Sequence, residues 1–585
     1  MKFEVLAQYF EKIEETSSRN KMISIMSDLF TEIDEEIIDI AAYFLTGDIA
    51  ADYRDVKVGL GEEMTKASVA MASNVDESEV ESKMKELGDL GDGAAYFYGR
   101  RHELYQDELK TGTNLTVDEV HQGLIAIANA SGSGSQEEKK RILASLLAAS
   151  NDLERRYIVR LALGTMRLGA GDMTVLDGLA EAFLGSKDKR EPLEHAYNVS
   201  SDIGHVAEVL AKSGLDGIKR MRVAINRPLR PMLAQRVDSL TTLMEKIGSE
   251  VIAAEEKYDG ERIQAHKDGD KTRLYSRRLN EVTGQFPDIV QYVQDHTSAE
   301  SVILDGEAVA YDFEKEEYYP FQRIMNRRRK YDVEEYAEKI PVQYVVFDIL
   351  YKNGKSLLTK LYPERRNNLE RTVNETAKMK IAGRVTSSKL EAIDEFFQEC
   401  LDRGLEGVVC KSCGDNSRYR AGAREWSWIK WKPSYASDLS DTLDLVIIGA
   451  YAGKGARAGT YGSLLCATYN KEEAVFETVC KLGSGFTDEV LENLPDKLED
   501  AKTDSRPARI SATKDIEPDY WFYPKYVAEI LSSEITKSPV HTCDGDGDRG
   551  LSLRFPRFQN WRPDKSPTDA TTTSEIVTMY ENQEA

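Results

Sequence analysis

Six cysteines in a chain of 585 residues are too few for a disulfide framework. No apolar run approaches the roughly 18 residues that a membrane-spanning helix needs, so no membrane partner is expected. The opening stretch, MKFEVLAQYFEKIEE, is a mixed amphipathic helix pattern without the apolar segment of a secretion signal. An intracellular, cytoplasmic protein is expected. Cys410 and Cys413 form a C-x-x-C, but no second pair stands at zinc-ribbon spacing, and they read as two cysteines near a strand end. No Walker pattern is present, which disfavours a phosphate-cradling P-loop NTPase. Internal repeats are absent.

Basic residues are also in deficit: 77 Lys and Arg against 101 Asp and Glu give a net charge of −24. Averaged over the surface, that argues against a nucleic-acid partner. Binding, however, uses patches. IKRMRVAINRPLRPMLAQR (218–236) holds six cations and RIMNRRRK (323–330) holds five, neither with a carboxylate. Singly, such runs are solvated faces; two of them inside an acidic chain look placed. The acidic remainder is consistent with adaptation to high internal salt, where screening is strong.

The length implies two to four domains. Residues 1–229 read as helical, with RILASLLAASNDLERRYIVRLALG (141–164) repeating apolar residues at three- and four-residue spacing. Ser135 and Gln136 lie near a helix start. Two prolines in RPLRPMLA (227–234) end that texture. Next, β-rich runs alternate with helical ones. RIQAHKDGDKTRLYS (262–276) predicts a hairpin, SVILDGEAVAYD (301–312) and VQYVVFDILY (342–351) predict strands, LEAIDEFFQECLDRG (390–404) a helix, and EGVVCK (406–411) a strand. From about 443, short strands with glycine-rich turns predict a small β-barrel, and TTSEIVTMYENQ a closing helix.

One short turn stands apart. In EEKYDGERIQAH (255–266), Lys257 is crowded by Glu255, Glu256, Asp259 and Glu261. A lysine becomes nucleophilic when its pKa falls, and adjacent carboxylates push the other way. Those carboxylates must therefore point elsewhere, or be outweighed. Glu307 and Glu406, near the ends of separate strands, are positioned to meet at a divalent metal. Lys430, Lys432 and Arg277 are candidates to gather on a phosphate. Such a set suits attack by lysine on an α-phosphate. On pattern alone, Phe347 is core, Glu307 an exposed strand residue, and WIKWK a half-buried strand.

The ordered set decides among these readings. Lys257-Tyr258-Asp259-Gly260 resembles the lysine motif of ATP-dependent DNA ligases. SRRLNEVTGQFPDI (276–289), LDGEAVAYD (304–312), VVFDILY (345–351), EGVVCK, WIKWKPSY (428–435) and LRFPRF with WRPDK (553–565) follow in that family's order. YIVRLALGTMRLGAGDMTVLDGLA (157–180) resembles the DNA-binding helices of archaeal and eukaryotic members. DLVIIGAYAGKGARAGTYGSLLCA (444–467) and PDYWFYPKYVAEI (518–530) resemble their oligonucleotide-binding (OB) fold.

The resemblance implies a multidomain chain: an all-α DNA-binding domain (1–229), an α+β nucleotidyltransferase domain (230–437) and a β-barrel OB-fold domain (438–585). It implies ATP and Mg²⁺, with Mn²⁺ possible, and nicked double-stranded DNA as substrate. A nucleoid-associated monomer is expected. A sliding clamp is an open partner, since AAYFYGRR (94–101) lacks the glutamine of a clamp peptide. Lys257 would carry AMP. Glu255 would read the adenine amino group and Phe347 would stack on the ring. Arg262 and Arg277 would contact ribose and phosphate. Glu307 would contact ribose or metal, and Glu406 metal. Arg424, Lys430 and Lys432 would bind phosphate, and Arg562 and Lys565 the departing pyrophosphate. Two departures stand out: Glu261 replaces a frequent Gln, and a proline stiffens WRPDK. An RNA ligase or guanylyltransferase would lack the helical front, an NAD-dependent ligase would carry other flanking domains, and a degenerate binding scaffold would not keep the lysine set intact.

Overall fold

The computed structural model describes residues 1–104, 115–237, 240–319, 323–324, 327, 333–431, 442–545 and 549–584. Two compact units result: Met1–Ser68 with Leu109–Pro433, and Val69–Glu108 with Ser434–Ala585.

The first unit begins in helices, from Phe3–Glu14 to Ile203–Arg220, apart from Glu77–Leu87 and Leu90–Leu104, which fall in the second. Apolar spacing places Phe3, Leu6, Phe10 and Ile13 in its core. The continuous periodicity of 141–164 is not one helix. Ser135–Ala148 and Asp152–Leu163 are separate, because Asn151 caps the Glu154 amide and Glu154 returns the bond to the Asn151 amide. That local exchange outcompetes the helical continuation. The helix at 135 starts behind Gly134, without a side-chain cap from Ser135 or Gln136.

The proline-broken stretch then docks on a sheet through side chains. The Asn226 amide donates to His266 Nδ1 (3.0 Å), the Leu229 amide to Gln264 Oε1 (2.9 Å), and Ser201 Oγ to the Pro228 carbonyl (2.6 Å). Since His266 Nδ1 accepts, its Nε2–H donates to Gln264 (2.8 Å). Burial pushes this ring's pKa down to about 3, so it stays neutral.

Two sheets follow. β1 (Leu233–Arg236), β2 (Ile252–Lys257), β3 (Glu261–Asp268), β4 (Lys271–Ser276), β5 (Ser301–Asp312), β6 (Val342–Lys352), β7 (Met379–Ile381), β8 (Arg384–Ser387), β9 (Gly407–Ser412) and β10 (Arg424–Trp431) supply them. One sheet has the order β1–β10–β9–β2–β8; the other runs β4–β3–β5–β6, with β7 parallel to β6. The central strands β5 and β6 are apolar on both faces. One face packs on the helix Pro287–His296 through Phe286, Ile289 and Val293. On the other, Val309 and Val345 share a core with Ile252, Ala254, Val408 and Ile429 of the first sheet. Five predicted elements match: the 262–276 hairpin, the 301–312, 342–351 and 406–411 strands, and the helix at Leu390–Asp402.

In the second unit, β11 (Leu443–Ala452), β12 (Tyr461–Asn470) and β13 (Val475–Leu482) form an antiparallel meander. β14 (Val527–Leu531) and β15 (Arg557–Trp561) extend it along the other edge of β11. The sheet curls around Leu445, Ile447, Leu464, Val479 and Ile530, as an OB-type fold requires. The helix Thr573–Glu584 closes the chain. Among the described residues, no helix is long and apolar enough to cross a membrane.

Candidate active site

Lys257 is the last residue of β2, and register explains its surroundings. β9 pairs antiparallel with Gly407 opposite Lys257. Glu406, just before β9, therefore donates its amide to the Lys257 carbonyl (2.9 Å) and lays its carboxylate against Nζ. β3 pairs with β5 so that Arg262 faces Glu307. Gly260 makes this approach possible. A Cβ there would lie 2.3 Å from the Ala308 carbonyl oxygen and 2.8 Å from Glu307 Cγ. The glycine of the K-x-D-G motif thus lets the lysine turn pass directly over β5. β10 adds Lys430, opposite Val409 and Arg236.

Charge follows from this packing. Burial lowers the Lys257 pKa; Glu307 and Asp259 oppose it, while Arg277 and Arg262 assist. Burial also lowers the Lys430 pKa, aided by Lys257, Arg424, Arg277 and Arg236. For the Glu307 carboxyl, burial outweighs Lys257 and Arg262 and pushes the pKa up to about 7. The lysine is thereby poised to lose its proton, while the Glu406 carboxylate in contact favours the ammonium.

Glu255 and Glu256 do turn away from Lys257, but Glu406, distant in sequence and expected to hold a metal, pairs with it. Glu256 points to the opposite face of β2. Glu255 shares the lysine's face and is buried among Lys411 Nζ (2.5 Å), Arg366 Nη1 (3.0 Å) and the Tyr362 hydroxyl (2.5 Å). Lys411 also donates to the Phe347 carbonyl (3.1 Å). The Phe347 ring is half-buried, with the Arg262 guanidinium at 5.3 Å and the Lys411 amine at 5.2 Å from its centroid. Arg262 is held in a fork by Asp305 (3.0 and 2.7 Å). Arg277 and Arg424 are exposed, Arg424 bonding the Ala234 carbonyl (2.9 Å). Lys432 lies outside the described residues.

In the second unit, Arg562 and Lys565 converge on Asp444. Arg562 Nη1 bonds both of its oxygens (2.9 and 3.0 Å), and Lys565 Nζ lies 2.5 Å from Oδ2.

The cation run at 323–330 needs correction. Arg327 is not part of a solvated path: its side chain is 1% exposed and forks onto Asp288 (2.8 and 2.9 Å) above the Phe286 ring. Arg328 and Arg329 lie outside the described residues. Pattern reading also passed over Tyr362, Arg366 and Lys411. Arg365 and Arg366 look like surface charge in YPERRNNLE, yet both are buried. Lys411 carried a legible signal, a lone cation ending an apolar strand. Among the described residues, no three His, Cys, Asp or Glu side chains gather as a metal cage, and Cys410 is a buried thiol whose pKa burial pushes up to about 12.

Comparison with known proteins agrees with this geometry. Three family descriptions match: "DNA ligase N terminus" over residues 2–180, "ATP dependent DNA ligase domain" over 231–432, and "ATP dependent DNA ligase C terminal region" over 457–565. A DNA ligase of Sulfophobococcus zilligii is 41% identical, covering 100% of this chain and 97% of that protein. One from Staphylothermus marinus is 41% identical over 100% and 99%, and a probable DNA ligase of Aquifex aeolicus 42% over 100% and 99%. A solved structure, Pmar-Lig, shares the fold at 15% identity, with a TM-score of 0.54 over 95% of this chain and 99% of that one. The chain belongs to the ATP-dependent DNA ligase family.

Proposed function

We propose that the chain seals 5′-phosphate/3′-hydroxyl nicks in duplex DNA through three steps, each a nucleotidyl or phosphoryl transfer. The Lys257 amine attacks the α-phosphate of ATP, forming a phosphoramide with AMP and releasing pyrophosphate. AMP passes to the 5′-phosphate at the nick. The 3′-hydroxyl then attacks that phosphate, and AMP leaves. The observation that carries this reading is the half-buried Lys257 amine, held below its ordinary pKa by burial with Arg277 and Arg262 assisting, with the Glu406 carboxylate against it. The lowered pKa lets the Lys257 amine shed its proton and attack as a free base. The cations offset charge on the phosphates.

The half-buried face of Phe347 offers a stacking surface for adenine, and Glu255 fixes the floor beside it through Lys411. Arg424 and Lys430, with Lys432, line the phosphate side. Arg562 and Lys565 exchange Asp444 for pyrophosphate oxygens. Glu307 and Glu406 suit a hard divalent cation, Mg²⁺ or Mn²⁺. Two carboxylate donors suit an ion that completes its shell with substrate phosphate oxygens. Bound there, the ion would neutralise charge on the triphosphate. Helical (1–229), nucleotidyltransferase (230–437) and OB-fold (438–585) domains would contact the duplex mainly through phosphates, in a monomer.

Sealing of a nicked duplex, with ATP, ADP, GTP and NAD tested in turn, checks the reading. The wild type joins strands with ATP and Lys257→Ala joins none. Joining by Lys257→Ala would refute it.

A further inference from the structure

The face of β2 opposite the lysine carries a second polar cluster that the reaction above does not use. Glu256 is buried there, and each carboxylate oxygen is occupied. Arg403 Nη1 donates to Oε1 (2.5 Å), while the Gly383 amide (2.7 Å) and the Tyr258 hydroxyl donate to Oε2. The Glu256 amide bonds the Gly383 carbonyl in return (2.9 Å). Position 383 must be glycine for this, since a Cβ would sit 2.6 Å from the carboxylate. So both chain neighbours of Lys257, residues 256 and 258, are tied to one carboxylate on the far side of the sheet.

Arg403 connects that anchor to the other half of the site. It follows the helix Leu390–Asp402 and stands three residues before Glu406. The intervening turn is closed by bonds from the Gly404 amide to the Leu401 carbonyl (2.9 Å) and from the Leu405 amide to the Cys400 carbonyl (3.0 Å). At its far end the Glu406 amide holds the Lys257 carbonyl (2.9 Å). The loop is thereby pinned to β2 twice: through Glu256–Arg403 on one face, and at Lys257 itself.

We propose that Arg403 and Glu256 are positioning residues that set the Glu406 carboxylate against the Lys257 amine. Neither faces the nucleotide side of the strand. They act on the first transfer by fixing the two reacting side chains relative to each other, and this rests on the lysyl-AMP reading above.

Single-turnover adenylation by the full chain, with α-labelled ATP and magnesium, tests it beside sealing of a nick already carrying 5′-adenylate. Displacements near 1 Å cost about 100-fold in rate. Arg403→Met is therefore expected to slow adenylation at saturating ATP by about 10- to 100-fold, with the KM for ATP changed less than about threefold. Arg403→Lys, which keeps a charge on Glu256, recovers most of that loss. Glu256→Gln combined with Arg403→Met is no slower than the slower single variant, because both break one link. Sealing of the pre-adenylated nick, which does not need the Lys257 nucleophile, stays within about threefold of wild type. Wild-type adenylation rates in Arg403→Met, multiplying losses in the double variant, or equal loss in both assays would overturn the proposal. A wild type that takes up no label would instead defeat the lysyl-AMP reading itself.

Discussion

A lysine is a poor nucleophile until its proton is gone, and every carboxylate held against it favours the ammonium. The arrangement around Lys257 limits how many reach it. Glu255 and Glu256, adjacent in sequence, are consumed by Lys411, Arg366 and Arg403, leaving Glu406 alone in contact with the amine. The residues expected to bear the chemistry were named from sequence because a motif fixes them. Their partners were not, since Arg366 and Arg403 come from charged stretches whose burial is decided by tertiary packing. His266 gives a residue-scale prediction of a different kind. Its pKa falls from 6.5 in the unfolded chain to about 3 when folded, so between those values only the unfolded chain takes up the proton. Its contribution to stability is present above pH 6.5 and is lost as pH falls, on the order of 4 kcal/mol by pH 3. Urea titrations across that range should show a shallower pH dependence for His266→Gln than for wild type; identical curves would mean that the ring does not carry this load.

Among elements, strands were the most legible and helix breaks the least. β5 and β6 are buried on both faces, so their sequences are nearly continuous apolar runs bounded by polar turns. The break at Asn151 was invisible to periodicity because the apolar spacing continues through it and only a capping exchange interrupts it. The 323–330 run failed for another reason: net charge does not say which cation turns inward. Arg327 ties that segment to Asp288, in the first turn of the helix Pro287–His296. Removing one partner of a pair whose guanidinium is buried costs about 3 kcal/mol. Arg327→Ala is expected to lower the urea midpoint accordingly, yet to retain adenylation of Lys257 under mild conditions, because it packs in the other core. Unchanged stability would return Arg327 to the surface path.

At the scale of the molecule, domain order was readable from changes of texture, whereas the grouping of Val69–Glu108 with Ser434–Ala585 was not. Within that unit the Lys85 amine lies 3.5 Å from an Asp519 carboxylate oxygen, and the Gly455 amide donates to the Gly88 carbonyl (3.2 Å). Contacts between segments hundreds of residues apart leave no periodic trace. The net charge of −24 predicts a salt response. Screening at molar KCl relieves self-repulsion of the acidic surface, so nick sealing should persist there; a maximum at low salt followed by collapse would contradict adaptation to high internal salt. The most direct test of the whole account is peptide mapping by mass spectrometry after incubation with ATP and magnesium. An AMP adduct on the peptide containing Lys257, absent from Lys257→Ala, is the predicted result. An adduct on any other side chain would contradict it.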